Sequence, residues 1–112
     1  MVPTALLLFL LGATVGLYMA TRIFRGLFPP NIAPVIHGAF VATALVITLY
    51  AAAAPGAPTL LKVGAGILCL AALGGLFLVS FHIRRVPHPR PIVIVHGLAA
   101  ATGVTCVALS LL

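Results

Sequence analysis

Two histidines are the residues of this chain best suited to chemistry. His37 lies in Val35-Ile36-His37-Gly38 and His96 in Ile94-Val95-His96-Gly97, 59 positions apart. Imidazole titrates near neutral pH, hydrogen-bonds through either ring nitrogen and ligates metals. Each histidine stands near the start of a long apolar run and follows a proline-rich, arginine-bearing loop. Two such groups in matched settings suit one paired task, the ligation of a single metal from opposite sides.

The matched settings extend well beyond the histidines. Shifting the chain on itself by 59 places residues 8–44 over 67–103 with ten identities in 37 positions: Leu11/Leu70, Ala13/Ala72, Gly16/Gly75, Leu17/Leu76, Arg25/Arg84, Pro30/Pro89, His37/His96, Gly38/Gly97, Ala42/Ala101 and Thr43/Thr102. Chance would give roughly three or four in so biased a composition, so the chain is read as a tandem repeat. The polar and glycine identities carry most weight, because leucine and alanine match cheaply here.

The elements that must position the histidines are set by composition. Of 112 residues, 63% are hydrophobic, 5% are charged and none is aspartate or glutamate. Soluble domains carry about 25% charged residues, so the solvent of this chain is lipid. Six basic residues in so apolar a chain do not form a solvated basic face, which excludes nucleic acid as a partner. The absence of carboxylates removes acidic general bases, acidic metal ligands and the intramembrane carboxylates of proton-coupled transporters. No catalytic constellation remains, and the chain is not expected to be an enzyme. Cys69 and Cys106 lie inside apolar runs without a C-x-x-C and read as small core residues. No basic region precedes the first run, so no signal peptide is expected.

Four apolar runs follow: residues 3–21, 35–54, 60–81 and 92–112. About twenty residues at 1.5 Å each span roughly 30 Å, the depth of a bilayer's hydrocarbon core. The predicted fold is a single all-α membrane domain over 1–112, an up-down-up-down four-helix bundle with repeat halves of about 1–54 and 59–112. Pro34 suits a helix's first turn and Thr59 an N-cap. Gly12-x-x-x-Gly16 and Ala71-x-x-x-Gly75 offer close helix approach, as do Gly38 with Ala42 and Gly97 with Ala101. The halves should be related by a two-fold axis along the membrane normal. Arg22, Arg25, Arg84, Arg85 and Arg90 fall on the side of the 1–2 and 3–4 loops, and only Lys62 on the other. The positive-inside rule then puts those loops in the cytoplasm and both termini in the periplasm of a bacterial inner membrane.

His37 and His96 fall on helices 2 and 4 at equivalent depth, diagonal positions about 11–14 Å apart when neighbouring helices are 8–10 Å apart. Imidazoles reaching inward from there suit the two axial positions of a haem iron. Gly38 and Gly97 would leave room for a flat macrocycle, and the five arginines would pair its propionates. The residues leave other readings open: no cofactor, with the histidines bonding neighbouring helices; a chlorophyll-type pigment, which needs one axial histidine; or zinc or copper held by His37, His82, His88 and His96 together. His82 and His88 have no histidine counterparts in the first half and read as loop residues.

Four spans with matched helix histidines resemble the small four-helix membrane b-type cytochromes. That resemblance implies haem b and electron transfer to a quinone pool or a larger redox complex. Helices 1 and 3 have no mid-span histidine, so it supports one bis-histidine haem. The alternative is a small structural subunit of a respiratory or photosynthetic complex. Both readings expect lipid around the chain and association with further copies or other subunits.

Overall fold

A computed structural model describes residues 1–112. Four helices form: α1 (Val2–Phe24), α2 (Ile32–Ala52), α3 (Thr59–Ile83) and α4 (Arg90–Leu109). Each is long and apolar enough to cross a membrane. They pack as an up-down-up-down bundle 45 × 22 × 20 Å in extent. α1 lies closely along α2 and α3 along α4, while the α2/α3 and α1/α4 seams are sparser. The two-helix repeat is thus two tight hairpins joined side by side. Only 16 residues are buried, and leucines and valines such as Leu17, Val46, Leu70 and Leu98 lie exposed along the outside. An exterior this apolar is stable only in lipid.

α1 and α3 run past both expected ends, where local chemistry satisfies the backbone, while α2 and α4 start earlier than expected and stop at Ala52 and Leu109, short of 54 and 112. α1 continues through Arg22, whose guanidinium folds back to donate to the Phe28 carbonyl at 2.9 and 3.2 Å. It ends in a Schellman turn: the Leu27 N–H donates to the Arg22 carbonyl at 2.8 Å and the Gly26 N–H to the Ile23 carbonyl at 3.0 Å. The end of α3 repeats this 59 positions on, Val86 to Phe81 at 3.1 Å and Arg85 to His82 at 3.2 Å. Gly26 and Arg85 both take the left-handed conformation, φ 74° and 59°. Arginine there costs roughly 1 kcal/mol that glycine does not. α3 therefore includes His82, which is buried on the helix, not in the loop as expected. α2 starts at Ile32, with Pro34 in its first turn. Thr59 is the first helical residue of α3 and caps nothing; extended Pro58 holds the N-cap position.

The hydrophobic cluster (Ala5, Phe9, Ala44, Leu61, Leu68 and Val107) occupies the half away from the arginine loops. Small residues set its tightness. A Cβ at Gly64 would lie 3.0 Å from the Gly103 carbonyl oxygen and 3.0 Å from Cys106 Cβ, so α3 and α4 touch there through backbone. The repeat counterparts of Gly64 and Gly103 are Ala5 and Ala44, both fully buried. A second swap lies one layer on. A Cβ at Gly12 would meet Val41 Cγ1 at 2.5 Å, whereas the counterparts are Ala71 and Ala100. One hairpin uses glycine against valine, the other alanine against alanine, and the summed volume is nearly kept.

Gly64→Ala should therefore push α3 from α4 and lower stability in detergent by about 1–3 kcal/mol. Gly66→Ala, whose Cβ meets nothing within 4 Å, should be neutral or up to about 1 kcal/mol more stable. Thermal unfolding of the two variants, followed by helical circular dichroism, reads the difference.

Candidate functional site: a histidine pair across the bundle

His37 stands six residues into α2 and His96 seven into α4. Both imidazoles turn toward the partner helix of their own hairpin. His37 Nδ1 is 2.8 Å from the Gly12 carbonyl oxygen, and His96 Nδ1 is 2.8 Å from the Ala71 carbonyl oxygen. Gly12 and Ala71 are 59 apart, as are the histidines, so one contact is built twice. A carbonyl only accepts, so Nδ1 carries a proton and donates, which leaves Nε2 of each ring as its free nitrogen. Neither Nε2 has a hydrogen-bond partner in the protein, and neither is sealed from the surface.

Glycine makes room for each ring. A Cβ at Gly16 would lie 2.9 Å from His37 Cε1, and one at Gly75 would lie 3.0 Å from His96 Cε1. Gly16-x-x-x-Gly12 on α1 thus gives the ring a seat and, one turn away, a carbonyl. Gly75 and Ala71 do the same on α3. The G-x-x-x-G spacing signalled close approach but not that an imidazole is what approaches. The paired identities Gly16/Gly75 and His37/His96 held that signal.

The two rings meet across the α2–α4 diagonal, with centroids 6.3 Å apart and planes at 72°. Gly38 and Gly97 face open space, with nothing within 4 Å of an added Cβ. Of the arginines, Arg22 is held by the Phe28 carbonyl and Arg84 by Ser80, through its carbonyl at 3.2 Å and its Oγ at 3.3 Å. Arg85 lies 5.4 Å over the Phe28 ring and Arg90 5.6 Å over Phe24. Arg25 makes no side-chain hydrogen bond and stands exposed beside the first loop.

A second cluster forms at the loop end and belongs to neither half alone. His82 Nε2–H donates to Asn31 Oδ1 at 3.2 Å. Phe28 packs 4.7 Å from His82 and 5.3 Å from His88, and the two histidines are 5.7 Å apart. No three metal-ligating side chains converge anywhere, so the four-histidine zinc or copper site is not formed. The reason is positional: the histidines divide into one pair within the bundle and one at its mouth. Burial against this cluster, and the neighbouring His82, hold the His88 imidazole below its usual proton affinity.

Two measurements test these geometries. In a double-mutant cycle, Gly16→Ala should cost about 1–3 kcal/mol with His37 present and clearly less with His37→Ala, because the clash is with the ring. Additive costs would contradict the seat. By NMR, the His88 ring should titrate below 6.5, and Phe28→Ala should raise the midpoint toward it. The sign follows from linkage: as pH falls through about 6.5 the unfolded chain protonates first, so the loop end loses stability on the acid side.

Comparison with protein-family models, with curated proteins and with solved structures finds no match to this chain.

Proposed function

We propose that the chain is an integral membrane electron-transfer protein or subunit, in which His37 and His96 are the two axial ligands of one b-type haem. The observation that carries this reading is the doubled Nδ1–H to carbonyl bond. Metal-ligating histidines characteristically tie one ring nitrogen to a carbonyl or carboxylate, which fixes the tautomer and turns the other nitrogen to the metal. Here both rings are tied in the same way on diagonal helices, and both Nε2 atoms are unused.

The residues present fit such a group as donors. The two imidazoles, with ring centroids 6.3 Å apart, are close enough for one group to be held between them. The sparse α2/α3 and α1/α4 seams are where the bundle could part around a flat ring system, since the hairpins themselves are closed by the imidazole bonds. The group, when bound, would supply one-electron transfer. The protein's own part is to hold both imidazoles in one tautomer, keep water out with apolar helices and place arginines at the loop end. No carboxylate accompanies the pair, which leaves proton relay through a histidine–carboxylate couple without a partner. In this reading the loop end faces the cytoplasm, and a quinone or a larger redox complex accepts the electron.

A second reading is supported by the same bonds. Each imidazole stitches two helices, α1 to α2 and α3 to α4, and a structural subunit of a larger membrane complex needs no more than that.

A reduced-minus-oxidised visible spectrum of the detergent-purified protein, with a pyridine extract, separates the two. The haem reading expects a sharp alpha band that both His37→Ala and His96→Ala abolish while helical circular dichroism is kept. A colourless, folded protein from haem-replete cells would sink it. The structural reading expects both variants to assemble at a cost of about 0.6–2 kcal/mol.

A further inference from the structure

The two halves differ at the loop end in a way that changes the polar groups on the surface. At the loop end, the seam between the start of α2 and the end of α3 holds an open cleft of about 480 Å³. Its polar end is Asn31, His82 and Arg85, and its apolar wall includes Val35, Gly38 and Val79. The repeat counterparts of the three polar residues are Arg90, Ile23 and Gly26. The equivalent seam between α4 and α1 is smaller, about 290 Å³, and is lined by His88 and Arg90 but has no amide beside its cation.

The polar end is built to donate. Asn31 Oδ1 is used by the His82 ring, which turns the asparagine's amide N–H groups to be its free side. Arg85 has no hydrogen-bond acceptor in the protein, like Arg25 and Arg90 and unlike Arg22 and Arg84, and of the three only Arg85 lines this cleft. Its guanidinium lies 5.4 Å over the Phe28 ring, between this cleft and its counterpart. It also sits in a left-handed backbone conformation where its counterpart is glycine. A chain with no carboxylate cannot neutralise this cation itself, so the counter-anion comes from outside. The apolar wall continues from that cation into the membrane-spanning part, where Gly38 leaves space that a side chain would fill.

A cation and amide donors at a membrane's polar boundary, continuous with an apolar groove, match an anionic amphiphile. We propose that this cleft binds one anionic phospholipid, its phosphate on Arg85 and Asn31 and an acyl chain along Val35, Gly38 and Val79. Basic pockets between membrane helices recognise lipid headgroups in this way, and the bidentate fork of arginine suits a phosphate. The phosphate end, at Asn31 and Arg85, stands apart from His37 and His96, while the acyl path shares Gly38 and the α2/α3 seam with any group held between them.

Native mass spectrometry of the detergent-purified protein, titrated with phosphatidylglycerol or phosphatidylcholine, tests it. The wild type should retain one phosphatidylglycerol and discriminate against phosphatidylcholine. Arg85→Gly restores the residue that the symmetric turn uses and so should not impair folding, yet it should weaken phosphatidylglycerol binding about tenfold. Gly38→Leu should fill the groove and weaken it too, while Gly97→Leu, open in the same way but outside the cleft, should not. Unchanged selectivity in Arg85→Gly would overturn the proposal. So would displacement of the lipid by millimolar inorganic phosphate, which would make the occupant a free anion.

Discussion

Each half of this protein is closed by one hydrogen bond from an imidazole to a carbonyl 25 residues earlier, and the rest of the structure is arranged to allow it. In lipid, a helix carbonyl already bonded within its helix offers one more lone pair, and few side chains can reach it from a neighbouring helix. Imidazole can, provided the helices are close enough. That closeness requires glycine under the ring, because a methyl group at Gly16 or Gly75 would occupy the space of Cε1. Without a hydrophobic force between helices in a bilayer, packing and such bonds are what hold the pair. The tight α1/α2 and α3/α4 contacts, and the looser seams between hairpins, follow from where these bonds lie.

Once the hairpins are closed, their joining is comparatively free. The cluster of Ala5, Phe9, Ala44, Leu61, Leu68 and Val107 unites them away from the arginine loops. Toward the loops, the contact between halves is the edge of one imidazole against the other and the polar–aromatic group of Phe28, Asn31, His82 and His88. One end of the bundle is therefore packed shut with small residues, and the other end holds every histidine. The polar groups are concentrated where packing is least complete, as expected when they must remain available.

Much of this was legible in the sequence. The span lengths, the absence of carboxylates and the offset of 59 gave the four helices, their order and the pairing of His37 with His96. Helix ends were less legible: Arg22 looked like a terminator because it is charged, yet it folds back onto Phe28 and lets α1 continue. His82 was read as a loop residue because it has no histidine counterpart in the first half, and the Schellman turn that extends α3 uses Arg85 where glycine would have announced it. The acceptors of the imidazole bonds were not legible at all, because a backbone carbonyl leaves no mark on residue type. Only the seat did, as glycine repeated at 16 and 75.

The duplicated scaffold also explains why the second site is asymmetric. Two copies of one hairpin supply two seams at the loop end, and only one needs to be elaborated. The substitutions that distinguish the seams, Ile23 against His82, Gly26 against Arg85 and Asn31 against Arg90, lie at helix ends and turns, where the tight hairpin contacts do not constrain side-chain size. The histidine seat shows the opposite pattern. Gly16 and His37 are identical to Gly75 and His96 in the second copy, and each pair makes the same ring-on-glycine contact. The close packing positions do differ between the copies, glycine against valine in one and alanine against alanine in the other, where the summed volume is nearly kept. Arg85 takes a left-handed backbone conformation where its counterpart is glycine, and the proposed lipid site gives that residue a role that would offset the cost.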